Sequence, residues 1–265
     1  MAVRILVTFA LENEFAPWQA SHDFKLAKLG DLDVYLAESP SAQVTVALTG
    51  VGARQAALTA SQIMRGGFDA FDCCISSGLA GALQNNYGIG EVLAARSVFS
   101  EAAPADGTSR LLQCSGALVS FAAESGATVV EQFYSADHVI TTAREKQVLS
   151  AKADAVEMES FEILREAQGA GVPAVAIRAI SDTLDQDLPL DMSEILTEQG
   201  RVSIPRVLGQ VALKPQSLPG LVRLGKNSRV AAQSVSRFLD AYVAALANRA
   251  NRTAPLETKL TAGAF

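Results

Sequence analysis

The chain has 265 residues, 49% of them hydrophobic, and nineteen glycines. That length allows one large α/β domain or two small ones, with a core that needs no staples. A net charge of −6, with no dense basic stretch until the C-terminal region, argues against nucleic acid as the main partner. Three cysteines, two histidines and no Cys-x-x-Cys spacing give no basis for a zinc site, so neither metal nor cofactor is expected.

The opening segment, Met1 to Glu12, is apolar but too short to span a membrane. Glu12 and Glu14 interrupt it and no small-residue cleavage site follows, so a cytoplasmic protein is expected. Val3 to Phe9 reads as a strand covered on both faces, ending in Ala10-Leu-Glu12-Asn-Glu14, where a helix through Trp18 begins. Strands are predicted over Leu32 to Ala37 and Val44 to Leu48, with a turn at Ser39-Pro40-Ser41 between them. Thr49-Gly50-Val51-Gly52 then turns into an Ala-rich helix from Ala53 to Met64. Its glycines serve close approach to a ligand or a tight turn equally well.

Cys73 to Ser76 is a buried strand, and its cysteine pair reads as small core residues. It runs into Ser77-Gly78-Leu-Ala-Gly-Ala82-Leu83, a loop of small residues expected to expose backbone N–H groups beside a ligand. Gly88-Ile-Gly90 starts a strand over Glu91 to Val98, Ser100 to Arg110 is a surface loop, and Ala127 to Phe133 is strand-like. His138, just beyond, is a ligand contact or a satisfied half-buried histidine.

The organising stretch is Asp154-Ala-Val-Glu157-Met158-Glu159-Ser160-Phe161, followed by Arg178-Ala-Ile-Ser181-Asp182. Ala155-Val156 is a short strand; Ser160 is a candidate cap for a helix over Phe161 to Gln168. Gly169 and Gly171 end that helix, and Pro173 opens a strand over Ala174 to Ile180. A strand-helix-strand unit of this kind should bring both polar clusters to the carboxyl ends of neighbouring parallel strands, where open α/β sheets bind ligands. Glu159 is suited to a ribose diol, Met158 to a sugar face, and Asp182, desolvated and held protonated, to general acid work. Solvated or helix-terminal carboxylates are the bland alternative.

From Thr183 to Pro205 the sequence is acidic and irregular, with a short helix expected, and is a candidate lid. After Pro215 and Pro219-Gly220 a long helix is predicted from Leu221 to Ala247, bent at Gly225 and basic through Arg223, Lys226, Arg229 and Arg237. It docks on the core or a second subunit in one reading and on a membrane surface in the other. The chain thus divides into a body over 1–213 and a basic helical extension over 214–265, whose last residues, Asn251 to Phe265, look loosely ordered.

Taken in order, Glu12-Asn-Glu14, Thr49-Gly-Val-Gly52, Ser77-Gly-Leu-Ala-Gly-Ala82, Val156-Glu-Met-Glu159 and Arg178-Ala-Ile-Ser-Asp182 resemble the purine nucleoside phosphorylase/nucleosidase superfamily. The match is nearest to the methylthioadenosine/S-adenosylhomocysteine nucleosidases and covers about Val3 to Val211. The resemblance implies one three-layer α/β domain, a central mixed twisted sheet flanked by helices, in a homodimer. It implies that Asp182 protonates the leaving purine with Ser181 orienting it, and that Glu14 activates water against the anomeric carbon. Glu159 would bind the ribose hydroxyls, Met158 would pack on the sugar, Glu157 would support the site, and Val139 and Ile140 would flank the purine. Such an arrangement suits a reaction in which positive charge develops on the sugar.

Val139 stands where these nucleosidases usually place a phenylalanine, and Arg178 reads as a site contact or a strand-end ion pair. The tail is similar to that of the hopanoid-associated phosphorylases, which act on an adenosylated lipid. Phosphorolysis calls for arginines or a Gly-rich nest. The loop from Thr8 to Glu14 has no arginine, Ser76-Ser77 stands where phosphorylases often carry one, and Arg54 is the one candidate phosphate contact. The expected activity is hydrolytic release of adenine from a 5′-substituted adenosine of the methylthioadenosine or S-adenosylhomocysteine type. Cleavage of an adenosylated lipid, or nucleoside binding without catalysis, are the alternatives.

Overall fold

The computed structural model describes residues 2–65, 71–102, 109–189, 195, 197 and 203–253. β1 (Val3–Phe9) is apolar on both faces, and its position explains why: it pairs in parallel with β4 (Ala42–Leu48) on one side and β5 (Cys73–Ser76) on the other. α1 (Glu12–Ser21) follows β1, and β2 (Lys25–Leu29) and β3 (Leu32–Glu38) extend the sheet antiparallel beyond β4. α2 (Ala53–Arg65) joins β4 to β5.

The second half of the chain adds β6 (Leu79–Ala82), β7 (Val92–Phe99), β8 (Leu111–Gln113), α3 (Gly116–Glu124) and β9 (Thr128–Ser135). It continues with α4 (Ala143–Leu149), β10 (Ala155–Glu157), α5 (Ser160–Gly169), β11 (Ala174–Asp182), α6 (Ile204–Leu213) and α7 (Leu218–Thr253). Among the described residues the strands form one mixed sheet in the order β2-β3-β4-β1-β5-β11-β6-β10-β9-β7-β8. An additional β11–β7 pairing closes β11, β6, β10, β9 and β7 into a ring. α2 and α5 pack on each other, while α1 and α7 pack together on other parts of the sheet, giving helices around a central mixed sheet.

β11 links the open sheet to the ring. Ala174–Ala176 pairs with β5, Ile177–Ala179 runs antiparallel to β7, and Ala179 to Asp182 pairs with β6. All nine of its residues are buried, as a strand with partners on every side requires.

The sequence-based expectation that β10 and β11 are parallel neighbours is wrong. β6 lies between them, parallel to β11 and antiparallel to β10, and Gly81 is paired with both Asp182 and Val156. The segment read as a small-residue loop is thus largely this strand, whose short side chains let β10 and β11 approach it from both sides. The predicted Ser160 cap is also corrected: Ser160 is the first residue of α5, and its hydroxyl meets Ser76 Oγ at 2.9 Å. Glu157 Oε2 instead accepts from the N–H groups of Glu159 (3.0 Å) and Ser160 (2.7 Å), a carboxylate at the positive end of the helix.

The long basic helix is α7. Ala231, Val235, Leu239, Tyr242 and Leu246 recur at helical spacing and join the same core as β1 and β11. Tyr242 Oη donates to Leu118 O at 2.8 Å and Trp18 Nε1 to Asp240 Oδ1 at 2.7 Å. This half of the helix therefore docks on the body. Earlier in α7, Leu218, Val222 and Val230 are exposed beside Arg223, Lys226 and Arg229. No described helix is long and apolar enough to cross a membrane. The expected short helix before Pro205 and the loosely ordered tail fall largely outside the described residues, as does most of the predicted loop after Ser100.

Candidate active site

Glu14, Lys146, Glu157, Glu159, Arg178 and Asp182 are the buried charged residues among those described. All six gather around one cavity of about 170 Å³, and Glu14, Glu157, Glu159 and Asp182 line it directly. Apolar walls come from Val51, Leu79, Val139, Ile140, Met158 and Leu188. Burying a charge is costly, so the convergence of all six on one cavity marks it as the candidate site.

Each carboxyl has its own setting. Glu14 turns back from the first turn of α1, and its Oε2 accepts from Ala10 N (3.0 Å) and Leu11 N (3.2 Å). Burial pushes its carboxyl up, against the pull of Arg178 and these backbone bonds. Gly78, at φ +147°, passes beside it: a Cβ there would lie 3.2 Å from Glu14 Oε2. Glu159 Oε1 accepts from Gly52 N at 2.8 Å, so the Gly-rich turn after β4 holds a carboxyl as well as approaching the cavity. Burial, reinforced by the neighbouring Glu157, pushes the Glu159 carboxyl up to about 8.

Arg178 is 1% exposed and lies within β11 rather than at its end. Its Nη2 donates to Glu157 Oε2 at 2.6 Å and its Nη1 to Ser76 O at 2.8 Å, while Glu159 Oε2 is 3.7 Å away. It is therefore a buried ion pair that organises the site from behind, and it does not line the cavity.

Ser181 and Asp182 both line the cavity, which the alternation of a regular strand would forbid. A register shift between Ile180 and Asp182 permits it. Ser181 Oγ donates to Asp182 Oδ1 at 2.7 Å. The sequence reading of Asp182 is a desolvated carboxyl; the structure adds a partner, because Lys146 Nζ contacts Asp182 Oδ2 and the two form a buried ion pair.

Val139, Ile140 and Met158 line the cavity as named. Ser77 and Gly78 stand behind it: Ser77 N donates to Thr8 O at 2.9 Å, and Gly78 O accepts from Ala179 N at 3.0 Å, so that backbone is spent on the sheet. Arg54 is exposed on α2 and is not among the cavity-lining residues. His138 lines the cavity yet is exposed, with Nδ1 2.5 Å from Asp137 Oδ1, so the half-buried alternative does not hold. Leu188, within the predicted lid, reaches the cavity and donates its N–H to Thr141 O at 2.8 Å; residues 190–194 lie outside the described set.

Sequence reasoning missed Lys146 and Gly81. Thr142-Ala-Arg-Glu145 is a capping box, a legible signal for the start of α4, but that Lys146 faces inward follows from how α4 packs. Gly81 carried none beyond its place in a run of small residues.

The family model described as the Phosphorylase superfamily matches residues 4–204. No curated protein matches the chain. Among solved structures, the chain is similar to Helicobacter pylori 5′-methylthioadenosine/S-adenosylhomocysteine nucleosidase with butyl-thio-DADMe-Immucillin-A. The identity is 21% and the TM-score 0.70, over 92% of this chain and 99% of that one. Native futalosine hydrolase of Helicobacter pylori strain 26695 gives 21% and 0.69, over 92% and 98%. The nucleosidase from S. pneumoniae with the transition-state inhibitor MT-ImmA gives 16% and 0.70, over 92% and 100%. These likenesses show the fold. Since the family match runs from β1 to the start of α6 and takes in all six buried charges, the chain belongs to the phosphorylase superfamily.

Proposed function

We propose that this protein is a nucleosidase that hydrolyses a 5′-substituted adenosine, of the methylthioadenosine or S-adenosylhomocysteine type, and releases adenine. The observation that carries the reading is the charge balance of the cavity. Four carboxyls meet two cations there. Glu157 is tied to Arg178 at 2.6 Å and Asp182 to Lys146, which leaves Glu159 a share of Arg178 at 3.7 Å and Glu14 no ion pair of its own. Burial raises both, and positive charge arriving beside them favours their ionised forms. A ribosyl group that gains positive charge as its base departs would meet those two carboxyls, and the site favours that state over a neutral ligand. Glu159 and Met158 take the sugar, Glu14 takes the proton of the attacking water, and Asp182 with Ser181 faces the purine.

Phosphorolysis is the second reading. Ser77 Oγ and Arg178 Nε are buried polar atoms without a hydrogen-bond partner among the described residues. Neither atom's residue lines the cavity, and Arg54 is exposed, so water is the preferred nucleophile. The reading extends to a homodimer, as the sequence resemblance implies, and to a cytoplasmic location.

Incubation with methylthioadenosine, with and without phosphate, tests the reading. Adenine release without phosphate is the expected result. Release only with phosphate would replace hydrolysis by phosphorolysis, and no release from any 5′-substituted adenosine would remove the reading.

A further inference from the structure

Lys146 is fully buried, and the reaction outlined so far has no use for it. Its Nζ has three hydrogens and meets three acceptors: Asp182 Oδ2, Thr183 O at 2.9 Å and Gln186 O at 3.0 Å. No hydrogen remains for a ligand, so its effect on the cavity must pass through Asp182. Asp185, on the loop after β11, is another carboxylate whose charge acts on it.

Asp182 is placed to act as an acid, but as an ion-paired carboxylate it offers acceptors only. Oδ1 takes the Ser181 hydroxyl and Oδ2 takes Lys146. An acid must hold a proton when the base departs, and the nearest one is on the lysine. Resting on the nucleosidase reading above, we propose that Lys146 is a positioning residue that supplies the proton Asp182 delivers to the leaving purine. As the bond from the anomeric carbon to N9 breaks, its electron pair passes to the purine ring and N7 takes a proton from Asp182. An N–H bond of Lys146 breaks and an O–H bond to Asp182 forms, which leaves a neutral amine. The water oxygen bonds to the anomeric carbon and its proton goes to Glu14. After neutral adenine leaves, Glu14 gives up its proton and Lys146 regains one by way of Asp182, whose side chain reaches the cavity.

A pair of substrates separates this role from simple structural support. Methylthioadenosine needs its base protonated; the matching 5′-methylthio riboside of 4-nitrophenol does not, because 4-nitrophenolate is stable as an anion. Lys146→Met should lower kcat for methylthioadenosine by about 100-fold or more, the usual weight of general acid catalysis, with little change in KM. Release of 4-nitrophenolate should stay within a few-fold of wild type. Lys146→Gln keeps donors for the two carbonyls and carries the same test if the methionine variant does not fold. Equal losses on both substrates, or no loss on either, would overturn the role of Lys146 while leaving the nucleosidase reading in place. A wild-type protein that cleaves the nitrophenyl riboside but no purine nucleoside would remove both.

Discussion

At the scale of single residues, the site is governed by how buried carboxyls share too few cations. Glu159 shows the consequence most directly. Its carboxyl is pushed up to about 8 from an ordinary 4.5, mainly by burial. The folded protein therefore keeps a proton that the unfolded chain loses, and the linkage has a definite sign. The stabilisation is complete below the unfolded value and is lost as pH rises through about 8. Glu159→Gln, uncharged throughout, should flatten the fall in melting temperature between about pH 5 and about pH 9. The same variant should bind nucleosides far less well than free adenine, measured by calorimetry. Equal weakening of both would mean that Glu159 does not hold the ribose. Glu157 is tied to Arg178 at 2.6 Å with both side chains buried. Glu157→Gln leaves a buried guanidinium without its carboxylate and should cost about 3–5 kcal/mol in urea unfolding.

At the scale of elements, β6 decides whether the two polar clusters can share one cavity. A Cβ at Gly81 would fall 2.8 Å from Asp182 Oδ2 and 3.3 Å from Val156 Cγ1. Asp182 cannot swing aside cheaply, being held by Ser181 and Lys146. Gly81→Ala should therefore displace the acid and lower turnover on the order of 10²-fold, the cost of a misplaced catalytic group. Unchanged turnover in a steady-state assay would show that Asp182 tolerates the shift. The same element shows what a sequence can reveal. Strands β1, β4, β5, β7 and β11 were legible because each is a compact apolar run, and α2 and α5 because apolar residues recur at helical spacing. β6 was not, since Leu-Ala-Gly-Ala has neither a period nor β-branched residues. Its pairing is fixed by β10 and β11, which lie far away in the chain. Glu14, Met158, Glu159 and Asp182 could be named because carboxylates stood at predicted strand ends and the motifs resembled a family. The ion pair of Lys146 could not, because it depends on α4 meeting the end of β11 in space.

At the scale of the whole molecule, the family match ends at residue 204, whereas the packed core continues into α7. Ala231, Val235, Leu239 and Tyr242 are at most 1% exposed, and α7 lies against β11 and β1. Removal of residues 214–265 would uncover that face of the sheet. The truncated chain should lose its cooperative thermal transition by circular dichroism and bind a hydrophobic dye, as loosely packed states do. A sharp transition near that of the full chain would show that residues 1–213 form a self-sufficient unit.

β11 has one more consequence, for motion. Its amides are bonded into the open sheet at one end and into the ring at the other, so no local fraying can expose them. They should exchange with deuterium only when the entire domain opens, at the slowest rate in the protein. Ser181 and Asp182 ride on that strand, so on the proposed reading this wall of the cavity stays fixed while ligand enters and leaves. Entry and exit of ligand must then be gated by what faces it, beginning with the chain that leaves Asp182 and returns over the cavity at Leu188.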